Sequence, residues 1–126
     1  MSSTLQQRLA EIDLHIAGSA YAFGEDCRQQ DGTSTFLAME TDFRVRVPVE
    51  SMEDEAALGS SIRRVMEVVD GLPAAELSGT RPGRVEFEFY SGADSSLRLI
   101  IEIDRYRAEA QDLEGAELFK HFRPAP

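Results

Sequence analysis

The sequence predicts one α+β domain over residues 1–126, in which a mostly antiparallel sheet of four to six strands carries helices on one face. Three observations support this prediction. Apolar and polar residues alternate in the segments 33–49 and 84–104, as in half-buried strands. Apolar residues recur with helical spacing at about 52–70, and a second helical pattern follows near the C-terminus. A chain of this length buries a core without help from a disulfide or a metal.

The N-terminal segment is ambiguous, because two patterns overlap in it. Its apolar residues fit a helix when they are read at intervals of three and four, but Ile12, Leu14 and Ile16 also alternate as in a strand. We expect a short helix to about Ala10 and extended structure after it. Residues 11–28 stay open between helix and strand.

The next segment predicts a long or folded strand. Asp31-Gly32 is a tight-turn signal that predicts a connection between a strand near 20–28 and one near 34–40, within the alternating segment 33–49. Seventeen residues are long for one strand, so we expect either a bent strand or a hairpin that turns at residues 40–42. Pro48 indicates a strand end or an edge.

The central helix is predicted at about 52–70 by one apolar stripe, which consists of Leu58, Ile62, Val65 and Val69. Ser51 is the expected N-cap, with Asp54 as its capping-box partner three residues later. The acidic first turn suits the positive end of the helix dipole. Gly71 lies at the expected C-terminal position, and Pro73 follows it.

The segment 84–104 predicts a β-hairpin around a turn-rich loop at residues 91–95. The cross-strand pairs predicted from this loop are Tyr90–Ser96, Phe89–Leu97, Glu88–Arg98, Phe87–Leu99, Val85–Ile101 and Arg84–Glu102. Two pairs join opposite charges and three join apolar side chains, so a slip by one residue would destroy both sets.

The remaining segments predict a loop and a C-terminal helix. Glycine and proline residues at 71–83 indicate a loop, which has room for a short strand near Ala75–Leu77. Asp112 is positioned to cap a helix that carries Leu113, Ala116, Leu118, Phe119 and Phe122.

The charge excludes some classes of partner. The chain carries 23 acidic and 13 basic side chains, a net charge of −10. Duplex nucleic acid and anionic membranes repel such a surface, because affinity for phosphate depends on Lys and Arg. A basic protein partner would be attracted and steered. The alternative is that the charge only keeps the protein soluble.

The compartment follows from absences in the sequence. No apolar run approaches the ~20 residues of a membrane span, and the N-terminus shows no signal-peptide pattern. Cys27 is the only cysteine, so no internal disulfide forms. We therefore expect a cytoplasmic protein.

No catalytic, metal or cofactor motif is recognisable. Cys27 with His15 or His121 is the only thiol–imidazole combination, and a lone cysteine is usually a small buried hydrophobe. The two histidines have no ligand spacing, and the acidic segments follow no Ca²⁺-loop pattern. The glycines of residues 79–84 lead into a strand, whereas a phosphate cradle requires a helix there.

The candidate contact surface lies on the outward side of the predicted hairpin. Its residues are Glu86, Glu88, Tyr90, Arg98, Ile100 and Glu102. An aromatic residue and an isoleucine among charges resemble the composition of a protein interface. The alternatives are a plain solvated sheet face and a face covered by a second helix. An acidic cluster before the central helix is the second choice, and it comprises Glu53, Asp54 and Glu55.

The order of these patterns resembles small bacterial immunity-type proteins that neutralise polymorphic toxins. The segments behind this resemblance are Phe36–Val47, the stripe of the central helix, Val85–Phe89 and Leu97–Ile103. Class I secretion chaperones look similar too, since they are small, acidic α+β proteins with terminal helices. Either resemblance implies a non-enzymatic protein, monomeric or homodimeric, that binds one cognate polypeptide. A small ligand-binding or enzymatic domain with a carboxylate-lined pocket is the alternative.

Overall fold

The computed structural model describes residues 3–13, 15–28, 32, 34–72, 81–92 and 95–123. The elements in chain order are α1 (Ser3–Ile12), β1 (Ala17–Arg28), β2 (Ser34–Pro48), α2 (Glu55–Asp70), β3 (Arg81–Ser91), β4 (Ser95–Glu102), α3 (Ile103–Glu109) and α4 (Gly115–Phe122). The predicted α+β class is confirmed. The possible strand near Ala75–Leu77 lies outside the described residues.

The four strands form one sheet in the order β1-β2-β3-β4. The two hairpins, β1–β2 and β3–β4, are antiparallel. The central pair, β2–β3, is parallel, because α2 carries the chain back before β3 begins. Four strands are the lower end of the predicted range, and two of the three pairs are antiparallel as expected.

The hairpin β3–β4 has the predicted register at all six pairs, from Tyr90–Ser96 to Arg84–Glu102. The turn at its end and the paired charges and apolar residues therefore specify the pairing as expected. The strand ends earlier than predicted, because Ile103 and Asp104 begin α3 instead of continuing β4.

β2 is a single strand of 15 residues, so the alternative of a hairpin at residues 40–42 is wrong. The strand tolerates this length because its register shifts against each neighbour, once opposite Phe23/Gly24 and once at Thr41/Phe43. At the second shift, Thr41 and Asp42 are both buried although they are consecutive. The Asp42 carboxylate accepts a hydrogen bond from the Arg84 N–H at 3.0 Å, which ties the shift to β3.

α2 carries the predicted apolar stripe toward the core, and Met66 adds to it. Its cap differs from the prediction, because the helix begins three residues later than about 52. The Asp54 side chain is the N-cap and accepts the Ala57 N–H at 3.1 Å. The Ser51 hydroxyl accepts the Glu53 N–H in the preceding turn, so the expectation of Ser51 as N-cap is wrong.

α1 and the start of β1 settle the ambiguous N-terminal segment. The helix runs to Ile12, two residues beyond the expected end, and the chain is extended from Ala17. A side-chain amide links the two elements. The Gln6 Nε2 donates to the Ile16 carbonyl at 2.8 Å, and its Oε1 accepts the Gly18 N–H at 2.9 Å.

The C-terminal part contains two helices where one was predicted. Glu114, not Asp112, precedes α4, and no side chain caps that helix. Gly115 has φ +58°, a conformation that suits glycine. α4 lies so close to α2 that a Cβ on Gly59 would overlap the Gly115 carbonyl oxygen. A residue larger than glycine is therefore excluded at position 59 unless the helices separate.

All of the described helices contribute to one core beneath one face of the sheet. The strands contribute Phe43, Val45, Val47, Val85, Phe87, Phe89, Leu99 and Ile101 to this core. The helices contribute Leu5, Leu9, Leu58, Ile62, Val65, Met66, Val69, Ile103, Tyr106, Leu118, Phe119 and Phe122. The described residues thus form a two-layer structure in which helices cover one sheet face and no described element covers the other. None of the described helices has the length and apolarity to cross a membrane.

Candidate functional site: the open face of the sheet

The uncovered side of the sheet, here called the open face, carries the candidate contact residues. Its described outward side chains are Ala17, Ser19, Tyr21, Arg44, Arg46, Arg84, Glu86, Glu88, Tyr90, Arg98, Ile100 and Glu102. No described helix covers this face, so the alternative of a covering helix finds no support in the described part of the chain. Ile100 is 50% exposed, and no other large hydrophobic residue is exposed among the described side chains.

The strand register lines up these side chains in rows across all four strands. One row is Ser19–Arg44–Glu86–Ile100, and the next is Ala17–Arg46–Glu88–Arg98. Each row places an arginine of β2 beside a glutamate of β3. The parallel pairing of β2 with β3 creates this contact. The end of β2 and the start of β3 are 33 residues apart in the sequence.

The first row contains a stacked ion pair. The Arg44 Nε donates to the Glu86 carboxylate at 3.0 Å. The same guanidinium lies over the Tyr21 ring, 4.9 Å from its centroid. The hydrogen bond with Glu86 contributes most to raising the pKa of Arg44 above its usual value, and a hydrogen bond with Tyr21 adds to it. The arginine is therefore held between its two neighbours.

The second row repeats this arrangement. The Arg46 Nε donates to the Glu88 carboxylate at 2.8 Å, and the guanidinium lies 4.5 Å from the centroid of the Tyr90 ring. The Glu88 carboxylate therefore pairs with Arg46. Among the described ion pairs it has none with Arg98, although the register places Arg98 opposite Glu88 as predicted.

A groove of about 570 Å³ runs over these rows. Small residues of β1 line one side, and Ile100 lines the other. The charged groups in it are Arg44, Arg46, Arg98, Glu86 and Glu88. The groove is therefore lined by both signs of charge, whereas the alternative hypothesis expected a carboxylate-lined pocket.

The charges of the open face nearly cancel. Four arginines and three glutamates are among its described residues, so the net charge of the chain is not concentrated there. The contact-surface hypothesis expected the candidate residues to lie together and their surface to be acidic. The candidate residues do share one surface, but that surface is not acidic.

The second-choice acidic cluster, by contrast, is largely engaged within the chain. Asp54 caps α2. Glu55 pairs with Lys120 of α4 at 3.7 Å and with Arg123, the residue after α4, at 3.4 Å. Glu53 is exposed. Two of the three carboxylates therefore already stabilise the fold.

The residues that the sequence hypothesis missed are Tyr21, Arg44 and Arg46. The alternation of Arg44 and Arg46 with buried valines places them on the outward side of their strand. This alternation does not indicate which strand lies next to β2. Only the β2–β3 pairing shows that these arginines complete the surface of the hairpin.

A separate ionic cluster joins α3 to α4. The Glu109 carboxylate contacts the His121 Nε2 at 2.9 Å and accepts a hydrogen bond from the Arg105 Nε at 3.1 Å. These two interactions, that of His121 first, lower the pKa of Glu109 below its ordinary value of 4.5. No group of three or more His, Cys, Asp or Glu side chains suited to a metal occurs among the described residues. The Cys27 side chain lies outside them.

Fold and site define a two-layer α+β protein whose sheet has one open, charge-paired face. No family model, no curated protein and no solved structure matches the chain. Its function is therefore inferred from the open face itself.

Proposed function

We propose that this chain is a binding protein and not an enzyme, and that it holds a cognate basic polypeptide on its open face. By covering that polypeptide it neutralises or chaperones it. The observation that carries the proposal is the uncovered sheet face, on which Ile100 and two tyrosine–arginine stacks lie among paired charges.

The composition of the open face favours protein recognition. Tyrosine and arginine are enriched at the centres of protein interfaces, where they supply most of the binding energy. Here Arg44 and Arg46 are each already held by a glutamate and a tyrosine. A partner therefore meets side chains whose conformations are set in advance, which lowers the entropy cost of binding.

The net charge of the chain indicates that its partner is positively charged. A net charge of −10 attracts a basic polypeptide from a distance and raises its association rate. At contact, the nearly neutral open face accepts a surface of mixed charge. We therefore expect the association rate to fall steeply between about 0.1 M and about 1 M salt, where the Debye length shrinks from ~10 Å to ~3 Å, while the dissociation rate changes less.

The test compares two double variants of the full chain, each of which removes one arginine–glutamate pair and leaves the net charge unchanged. R46A/E88A removes a pair from the open face, and R105A/E109A removes a pair from the helical side. A polypeptide captured on the wild-type chain is identified by mass spectrometry, purified and titrated against all three proteins.

We expect R46A/E88A to weaken binding by about tenfold or more and R105A/E109A to bind as the wild type does. Equal binding by all three proteins would contradict the assignment to the open face. Association that is independent of salt would contradict the electrostatic part of the proposal.

The effect of the chain on its partner separates the two modes of action. An immunity-type protein abolishes the toxicity of a partner that kills cells when it is expressed alone. A chaperone keeps soluble a partner that aggregates without it. Co-expression of the identified polypeptide with the wild-type chain and with R46A/E88A distinguishes these results.

Ligand binding is the second candidate function, since the volume of the groove lies within the ~300–1,000 Å³ typical of small-molecule sites. Three arginines against two glutamates line it, so an anionic ligand is the class that this small excess of positive charge favours. A rise in melting temperature with inorganic phosphate or citrate, lost in R46A/E88A, would support this function against the first.

A further inference from the structure

The free edge of β4 is a second binding feature, which borders the open face at Arg98, Ile100 and Glu102. β4 is the last strand of the sheet. The Val49 N–H donates to the Tyr90 carbonyl at 2.9 Å, so the backbone groups of Tyr90 are directed toward β2. Because these groups alternate in direction along a strand, those of Phe89 are directed toward β4. The backbone groups of its partner Leu97 are therefore directed toward β3, and those of Arg98 and Ile100 are directed away from the sheet.

These outward backbone groups have no partner in the described part of the chain. No described hydrogen bond satisfies the N–H or C=O of Arg98 or Ile100 on the free side of β4. Their side chains are exposed as well. At the opposite edge of the sheet, the Gln6 amide occupies the backbone groups of Ile16 and Gly18. The beginning of the β1 edge is therefore blocked, whereas no described side chain binds the outward backbone groups of Arg98 or Ile100 on β4.

The sequence of β4 is complementary to itself. If two copies of this strand lie antiparallel with their two Ile100 residues opposite each other, Arg98 of each faces Glu102 of the other. Neither Arg98 nor Glu102 forms an ion pair within 4.0 Å among the described residues of its own chain. Both charges are therefore available to a second copy. Like charges would meet if the axis lay two residues away, at Arg98 or at Glu102.

We infer that two copies of this chain associate through β4, antiparallel about a two-fold axis at Ile100, so that their two sheets become one. Ile100 exchanges backbone hydrogen bonds with Ile100 of the second copy. The Glu102 N–H of each copy donates to the Arg98 carbonyl of the other. The exposed side chain of Ile100 gains an apolar neighbour.

This inference does not rest on the proposed function. The pairing uses the edge of the sheet with the side chains of Arg98, Ile100 and Glu102, and it leaves the ion pairs of Arg44 and Arg46 uncovered. A dimer of this kind would carry two open faces side by side, in one continuous surface. A strand from a different protein is the other possible occupant of the edge, and the measurement below distinguishes it, because only a second copy changes the mass of the purified chain.

The test is a charge exchange, read as molar mass by light scattering and by sedimentation equilibrium on the purified full chain. R98E places two glutamates opposite each other across the axis, and E102R places two arginines there. Each variant alone should weaken dimerisation by about tenfold or more, because both symmetry-related contacts become repulsive. R64E, an equal change of charge on exposed α2 surface, should keep the mass of the wild type.

A mixture of the two charge variants tests the pairing most directly. Equal amounts of R98E and E102R should re-form a dimer, since the introduced glutamate of one copy then faces the introduced arginine of the other, and the native Glu102 and Arg98 form the second contact. The double variant R98E/E102R should dimerise like the wild type. Far-UV circular dichroism checks that each variant is folded. A wild-type chain that stays monomeric at about 1 mM, far above the Kd of a specific dimer, would overturn the inference, and so would a mixture that stays monomeric.

Discussion

Asp54 and Ser51 both precede α2, and only Asp54 caps it. The two residues share the chemistry of N-caps, so composition alone does not choose between them. The choice follows from where the chain turns. Ser51 hydrogen-bonds to the Glu53 N–H in a turn before the helix, and this leaves the Asp54 carboxylate to accept the Ala57 N–H in the first helical turn.

This difference predicts the effect of two similar substitutions. D54A should lower the free energy of unfolding by about 0.5–2 kcal/mol, because a helical N–H loses its acceptor. S51A should change it by no more than about 0.5 kcal/mol. Urea unfolding of both variants measures the two values, and a larger loss in S51A than in D54A would mean that the helix begins earlier than Glu55.

Among the elements, the contact between α3 and α4 contains a carboxyl whose pKa is lowered in the folded chain. Glu109 of α3 contacts His121 of α4 and accepts a hydrogen bond from Arg105. The folded chain takes up a proton at Glu109 less readily than the unfolded chain does, because the pKa of this carboxyl is lowered on folding. The stabilisation is therefore complete above pH 4.5 and is lost as the pH falls through the lower folded value.

E109Q removes this acid response. Its melting temperature should fall less steeply than that of the wild type as the pH is lowered below 4.5. E117Q serves as control, since Glu117 is exposed on α4 and forms no ion pair among the described residues. Melting curves by circular dichroism across this pH range provide the measurement. Parallel profiles for E109Q and the wild type would exclude Glu109 as the source of the response.

Some helices and strands could be predicted from the sequence better than others. The β3–β4 register was predictable because a local turn, paired charges and apolar alternation all agree. α3 was missed because Ile103 and Asp104 continue the alternation of β4, so the pattern gives no sign that the helix begins. The parallel neighbour of β3 was not predictable either, since alternation tells which side of a strand is buried but not which strand lies beside it.

The candidate site was predictable to the same extent. Glu86, Glu88 and Ile100 follow from the hairpin alone. Arg44 and Arg46 belong to the same surface only because β2 pairs with β3 across α2. The balance of charge on the open face therefore follows from topology, and it was missed by a count of charges along the chain.

For the whole molecule, the sheet has one face that is buried in the core and one that the described helices leave exposed. Neighbouring residues of β3 demonstrate this division. Phe87 is 1% exposed and stacks on Phe89, with 5.7 Å between the ring centroids. Glu88 lies on the open face and contributes one surface ion pair.

F87A should therefore cost about 3–5 kcal/mol of the free energy of unfolding. E88A, one residue away, should cost about 0–1 kcal/mol, as is usual for surface pairs. Denaturant titration of both variants measures the difference. Similar losses would mean that the open face is covered in solution, in conflict with the proposed function.

The Gln6 amide at the beginning of β1 has a consequence for assembly. A strand that approaches the beginning of β1 must first displace this side chain from the Ile16 carbonyl and the Gly18 N–H. No described side chain binds the edge of β4 in this way. In the inferred pair this edge is occupied in both copies. In a pair joined through β4, the edges that remain are the two β1 strands, and at the beginning of each the Gln6 amide must give way before a further sheet can add there.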